Sequence, residues 1–154
     1  MISTKGRYAL RLMIDLAEQD TDIYTPLKDI SKRQGISEKY MELIMKELVK
    51  HNLIKGLRGK GGGYKLSRRP QDYSVGEILE AAGEQLAPVA CMLPDAKSCG
   101  REKSCPTISM WEEFGRLSHD YFYGISLADL AGNSLQNNPK TNRRNSYPSL
   151  LYTS

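Results

Sequence analysis

At 154 residues the chain has room for one core plus an appendage, and a mean hydropathy of −0.50 with 40% apolar residues argues against a core that runs the full length. No apolar run is long enough to cross a bilayer, and the first 20 residues carry acids inside their apolar stretch with no cleavage-type site, so neither a membrane span nor a signal peptide is expected and the chain reads as cytoplasmic. The net charge of +4 hides a division: residues 1–70 hold 15 Lys/Arg against 8 Asp/Glu, residues 71–135 hold 4 against 10, and residues 136–154 hold 3 against none. A basic front half suits a polyanionic partner, with the acidic rear half turned away from it.

Residues 4–19 repeat Ala9, Leu12, Met13, Leu16 and Ala17 at helical spacing, which predicts a first helix. Lys5, Arg7 and Arg11 cluster at its start. Cations there oppose the helix dipole, so either phosphate contact or a merely solvated end accounts for them. Thr25-Pro26 reads as a helix start, with Thr25 as N-cap and Pro26 at the first helical position of a helix over 26–34. Gly35 marks a turn that needs an unusual backbone angle. Ser37 then caps a second helix whose Met41, Ile44, Met45 and Leu48 share one face, with Lys39, Glu42, Lys46 and Lys50 on the other.

Leu53–Leu57 and Tyr64–Leu66 read as short strands flanking Arg58-Gly-Lys-Gly-Gly-Gly63, a basic glycine-rich tip. Helix, turn, helix and basic hairpin are the plan of a winged-helix DNA reader, in which the second helix enters the major groove and the hairpin reaches the adjacent backbone or minor groove. Glycines at the tip, Gly61 among them, let backbone approach phosphate, while Arg58 and Lys60 supply charge. The bland alternative is a basic solvated face. Eight Lys/Arg against the single acid Glu47 between Lys46 and Arg69 favour nucleic acid. The glycines form neither a P-loop nor a dinucleotide fingerprint, because no Gly-Lys-Ser/Thr follows and the next element is a strand. His51 and His119 have no adjacent nucleophile and no carboxylate pair forms an acid–base site, so no enzyme is expected.

After a linker over 68–73, Ser74-Val-Gly-Glu77 reads as a capping box ahead of Val75, Ile78, Leu79 and Ala82, with a stop near Gly83. Residues 86–105 have no useful period and hold all three cysteines, Cys91, Cys99 and Cys105. An odd count in a cytoplasmic chain disfavours disulfides. The C-x₇-C and C-x₅-C spacings are too open for a zinc pair. Inert buried thiols fit poorly with so polar a loop, which leaves an iron–sulfur cluster or a thiol-based redox switch. A long helix follows from Pro106 to about Tyr123, with Ile108, Trp111, Gly115, Ser118 and Phe122 along one side. Part of that side is expected to be covered by a second copy of the chain. A short helix opens at Ser126 and stops at Gly132, and the Asn/Ser/Pro-rich remainder, 132–154, reads as a disordered tail.

Several stretches match one family. STKGRYAL (3–10), DISKRQGIS (29–37), EKYMELI (38–44), RGKGGGYKL (58–66), VGEIL (75–79) and the three-cysteine loop ahead of Trp111 together resemble the IscR-type family of bacterial winged-helix transcription regulators, over about residues 1–131. CymR-like and NsrR-like regulators share the DNA-binding half.

The resemblance implies a mainly α fold: a winged helix-turn-helix DNA-binding domain (1–73), then a cysteine loop and a long dimerisation helix (74–131). It implies a homodimer on double-stranded operator DNA that acts as a repressor. The expected DNA contacts are Lys5, Arg7, Ser37, Lys39, Tyr40, Glu42, Lys46, Arg58, Lys60 and Gly61, with Glu42 at a position that discriminates operator classes. Cys91, Cys99 and Cys105 match the ligands of an iron–sulfur cluster, 2Fe–2S in type. Two departures stand out. Ile108 occupies the place of the usual histidine ligand, and Arg7 the place of an acidic ligand in NsrR-like proteins. The fourth ligand is open among Asp95, Glu102, Ser104, a partner-subunit residue and a small thiol. A metal-free regulator gated by thiol oxidation or by a protein partner, as in CymR-like proteins, is the alternative.

Overall fold

The computed structural model describes residues 2–132 except 98, 102 and 103; the expectations for Glu102 and for the tail beyond Gly132 lie outside them. Among the described residues, six helices and one two-stranded sheet follow in chain order: α1 (Thr4–Glu18), α2 (Leu27–Gln34), α3 (Glu38–Lys50), β1 (Ile54–Leu57), β2 (Gly63–Leu66), α4 (Val75–Ala81), α5 (Ile108–Tyr123) and α6 (Leu127–Ala131). Single 3-10 turns occupy Pro70–Asp72 and Ala90–Met92.

The central element is α1, which packs against α2, α3, α4, α6 and β2. It can do so because Ala9, Leu12, Met13 and Leu16 form a continuous buried stripe. The opposing stripe on α3, Met41, Ile44, Met45 and Leu48, is wholly buried, each side chain contributing roughly 1.5–3 kcal/mol of gross hydrophobic stabilisation. The core continues past Tyr73 into Ile78, Ala81, Ala82 and Leu127, so α4 and α6 pack against α1 as part of the same core.

The turn between α2 and α3 forms as its residues require. Gly35 takes φ +64° and its N–H donates to the Ser31 carbonyl at 2.9 Å, while the Ser37 hydroxyl caps α3. The start of α2 differs from the sequence expectation. Pro26 occupies the N-cap, with no side-chain cap, and Thr25 is extended. The reason is the outer edge of β2: the Thr25 N–H donates to the Tyr64 carbonyl and the Tyr64 N–H to the Thr25 carbonyl, both at 2.9 Å. Backbone groups on an open edge need partners, and Thr25 supplies them. A Cβ at Gly63 would overlap the Thr25 carbonyl, which is why this wing strand begins with glycine.

The hairpin is antiparallel, pairing Ile54 with Leu66, Lys55 with Lys65, Gly56 with Tyr64 and Leu57 with Gly63. Two lysines face each other across it. Lys65 avoids its neighbour by leaning over the Tyr24 ring at 4.9 Å and donating to the Asp22 carbonyl at 3.2 Å. The buried Tyr73 hydroxyl fastens the base of the wing. It donates to the Leu53 carbonyl at 2.7 Å and accepts from the Ser67 and Arg68 N–H groups.

Ser74 caps α4 by accepting from the Glu77 N–H, but the Glu77 carboxylate meets Arg68 at 2.6 Å instead of completing a capping box. The box with both halves present lies at Ser126 and Asp129, opening α6. In α5 no residue is fully buried. Its Ile108, Trp111, Gly115, Ser118 and Phe122 side is half-covered by the chain itself, with Gly115 against Pro88 and Met92. The face left open carries Met110, Phe114, Leu117 and Tyr121, each more than half exposed.

Candidate nucleic-acid interface and cysteine loop

The outer side of α3 presents Lys39, Glu42 and Lys46 to solvent, as the periodicity of the helix requires once Met41, Ile44, Met45 and Leu48 are inside. Ser37 is exposed at the N-terminus of α3. Its oxygen accepts from the Tyr40 N–H, which leaves the hydroxyl proton available to a partner. Tyr40 is half-buried and meets Tyr8 of α1 edge-on at 5.8 Å, so its ring braces the two helices. Leu43, 54% exposed between Glu42 and Lys46, is a residue the sequence reading passed over. Its signal was an apolar side chain out of step with the buried stripe.

Across from α3, the wing tip holds Arg58, Lys60 and Gly61, all exposed. Between wing and helices runs a groove of about 590 Å³ whose walls include Lys28, Lys46, Val49, Leu57, Arg58 and Tyr64. Burial pushes the Tyr64 phenol above its ordinary range; the Glu42 carboxylate adds to that and Arg58 opposes it. Helix α3 and the wing therefore share one electrostatic neighbourhood.

Of the three cations at the start of α1, Arg7 is exposed, Lys5 is half-buried with its Nζ close to Gly83, and Arg11 donates to the Gln34 side chain and carbonyl of α2. Among the described residues, Lys5, Arg7, Lys39, Lys46, Arg58 and Lys60 form no salt bridge. The guanidinium groups of Arg33, Arg68, Arg69 and Arg116 are instead matched to carboxylates of the protein. A cluster of cations without protein counter-ions is an anion-binding surface.

The cysteine loop leaves α4 through Gly83 and returns at α5. Cys91 and Cys99 are exposed and Cys105 is half-exposed, all three as free thiols. The Thr107 hydroxyl, 3.5 Å from Cys105 Sγ, together with the Thr107 and Ile108 backbone holds this thiol below its ordinary pKa. Three thiols on one polar loop suit soft-metal ligation in donor type. In position they are not gathered: among the described residues, no three His, Cys, Asp or Glu side chains converge closely enough to hold a metal ion. Asp95 and Ser104 are exposed in the same loop, and the Ile108 side chain offers no donor. A groove of about 490 Å³ separates the loop's Pro88, Met92 and Leu93 from Glu80 and His119. No helix among the described residues is long and apolar enough to cross a membrane.

Residues 2–133 match the Rrf2 family, described as an iron-dependent transcriptional regulator. The chain is 35% identical over 129 residues to the HTH-type transcriptional regulator IscR of Aliivibrio salmonicida, covering 84% of this chain and 76% of that one. Among solved structures it is similar to CymR of B. subtilis, the global cysteine regulator, with a TM-score of 0.69 and 32% identity over 86% of this chain and 97% of that one. It is also similar to T. potens IscR, with a TM-score of 0.68 and 33% identity over 87% and 88% of the two chains. These neighbours share the winged-helix architecture, and the relatives named are regulators rather than enzymes.

Proposed function

The chain belongs to the Rrf2 family of transcriptional regulators, and from that premise we propose that it is a dimeric repressor that reads operator DNA with α3 and the wing. In this reading it takes its signal through an iron–sulfur cluster held by Cys91, Cys99 and Cys105. The observation that carries the DNA half is the group of cations on α1, α3 and the wing tip that form no salt bridge among the described residues, Lys5, Arg7, Lys39, Lys46, Arg58 and Lys60 among them. On a duplex, Lys39, Glu42 and Lys46 face base edges in the major groove, and the exposed Leu43 offers an apolar contact of the kind that suits a thymine methyl. Arg58 and Lys60 reach the flanking backbone or minor groove, and Arg7 the phosphates beside it. Two copies joined through the open face of α5 present two α3 helices to a near-palindromic site.

The cluster reading rests on donor chemistry: three thiols within one loop, one of them held below its ordinary pKa by the Thr107 hydroxyl and the neighbouring backbone. A cluster would supply one stiff, redox-sensitive link between three points of that loop. The matching reading without metal is a thiol switch. The exposure of Cys91 and Cys99 and the likeness to CymR favour it.

Anaerobic purification followed by iron and sulfide analysis separates the two, using the wild type and Cys91→Ala, Cys99→Ala and Cys105→Ala. The cluster reading expects coloured wild-type protein and loss of iron in each variant. Colourless protein that resists reconstitution rejects it in favour of the thiol switch, and full occupancy in all three variants places the ligands elsewhere.

A further inference from the structure

The first helix is finished by a residue from the far side of the sequence. Ser3 is the N-cap of α1 and accepts from the Gly6 N–H at 3.2 Å. In a capping box a Glu at this third helical position returns a carboxylate to the N-cap N–H. Here that position is Gly6, which has no side chain to return. Glu84 takes the role instead. Its Oε2 accepts from the Ser3 N–H at 3.0 Å, and its Oε1 accepts from the Ser3 hydroxyl and from the Gly6 N–H at 3.2 Å. The fit depends on Gly6: a Cβ there would come within 2.7 Å of the Glu84 side chain. Burial raises the Glu84 pKa, but the hydrogen bonds from Ser3 and Gly6 outweigh it and hold the carboxyl below its ordinary range.

Two further facts give this cap a role. Glu84 follows Gly83, the left-handed exit of α4, so it stands at the root of the loop that carries Cys91, Cys99 and Cys105. The residues it fixes, Ser3 to Gly6, directly flank Lys5 and Arg7, and Lys5 Nζ runs back toward Gly83. The carboxylate also offsets the unfavourable placement of cations at a helix N-terminus.

We propose that Glu84 is a positioning residue for DNA binding: by completing the cap of α1 it holds Lys5 and Arg7 where they meet phosphate. The proposal rests on the DNA-binding reading above. It carries a discriminating sign. Removing a negative charge near a polyanion site by itself strengthens binding, so weaker binding after loss of Glu84 is the mark of positioning.

The test uses the full chain with Glu84→Ala and the milder Glu84→Gln. Amide hydrogen exchange at Gly6 and Arg7 is expected to accelerate roughly fivefold in Glu84→Ala and less in Glu84→Gln, as for loss of a helix cap. Operator affinity is expected to fall roughly threefold to tenfold in Glu84→Ala, and adding Arg7→Ala to that variant costs little more, whereas adding Arg58→Ala costs its full effect. Unchanged exchange, unchanged or stronger DNA binding, or full additivity with Arg7→Ala overturns the proposal. If Lys5→Ala and Arg7→Ala alone leave affinity intact, it is the assignment of α1 to the DNA interface that fails, and the proposal falls with it.

Discussion

Arg33 and Asp15 join α2 to α1 through a two-pronged ion pair, Nη2 to Oδ2 at 2.6 Å and Nε to Oδ1 at 3.0 Å, with Asp15 buried and Arg33 partly open to solvent. Gln34 adds an amide donor to Asp15 Oδ1 at 2.8 Å. The Asp15 pair raises the Arg33 pKa despite the cost of its burial. The asymmetry in exposure sets the asymmetry in cost. Arg33→Ala strands a buried carboxylate on one amide and is expected to cost about 3 kcal/mol. Asp15→Ala leaves a guanidinium free to turn outward and is expected to cost about 1–2 kcal/mol. Urea unfolding of both variants checks the order, and an Asp15→Ala loss larger than that of Arg33→Ala would contradict it.

DNA binding is expected to weaken steeply with salt, because each phosphate contact releases counterions. Arg58→Ala and Lys39→Ala are expected to lower operator affinity without unfolding the protein, since both side chains are exposed. For Arg58 the expected loss is roughly 1–3 kcal/mol if it reads a base edge. Leu43→Ala is expected to relax preference at one base pair rather than to shift the salt slope. Gel shifts with wild-type affinity for Arg58→Ala and Lys39→Ala would refute the interface.

Dimerisation is expected to fail on one face of α5 and not the other. Phe114→Glu and Leu117→Glu place charge on the open stripe and should yield monomers in sedimentation at micromolar concentration. If both variants stay dimeric, the partner sits elsewhere.

Tyr123 provides a titration marker for the contact between α4 and α5. Its hydroxyl donates to Glu80 Oε2 at 2.6 Å, and that hydrogen bond, with burial and the Glu80 and Glu77 charges, pushes its pKa up to about 12. Because the folded value lies above the ordinary tyrosine value of about 10, the bond stabilises the protein at lower pH and its contribution is lost as pH rises from there toward 12. Ultraviolet titration of tyrosinate should show, besides the upward-shifted Tyr64, a group that ionises only near about 12 and is absent in Tyr123→Phe. A Tyr123→Phe curve identical to wild type would remove the hydrogen bond from consideration.

Much of the architecture is written locally and was readable for that reason. Ser37 and Ser126 cap the helices their positions announce, Gly35 turns left-handed where helix meets helix, and the Met41–Leu48 stripe is buried as its period demands. The misreadings share one physical cause, which is that the deciding partner lies far along the chain. Thr25 resembles an N-cap until Tyr64 claims its backbone. Glu77 resembles half of a capping box until Arg68 claims its carboxylate. Helix α5 is apolar on two sides, and periodicity alone does not say that Pro88 and Met92 cover the Gly115 side while Phe114 stays open. The spacing of the cysteines likewise announces donor type but not their separation in space.

The seating of α1 against α4 and α6 has a consequence for how the chain comes off the ribosome. The first helix to be made finds its Glu84 cap, and its packing partners near Leu127, only after most of the sequence has followed it. At ordinary elongation speeds that interval is on the order of ten seconds. Through it, the stripe from Ala9 to Leu16 has only α2, α3, the wing and then α4 to cover it. A product truncated before α6 would leave the part of α1 that meets Leu127 uncovered, so the first helix is fully seated only when the last described one has been made.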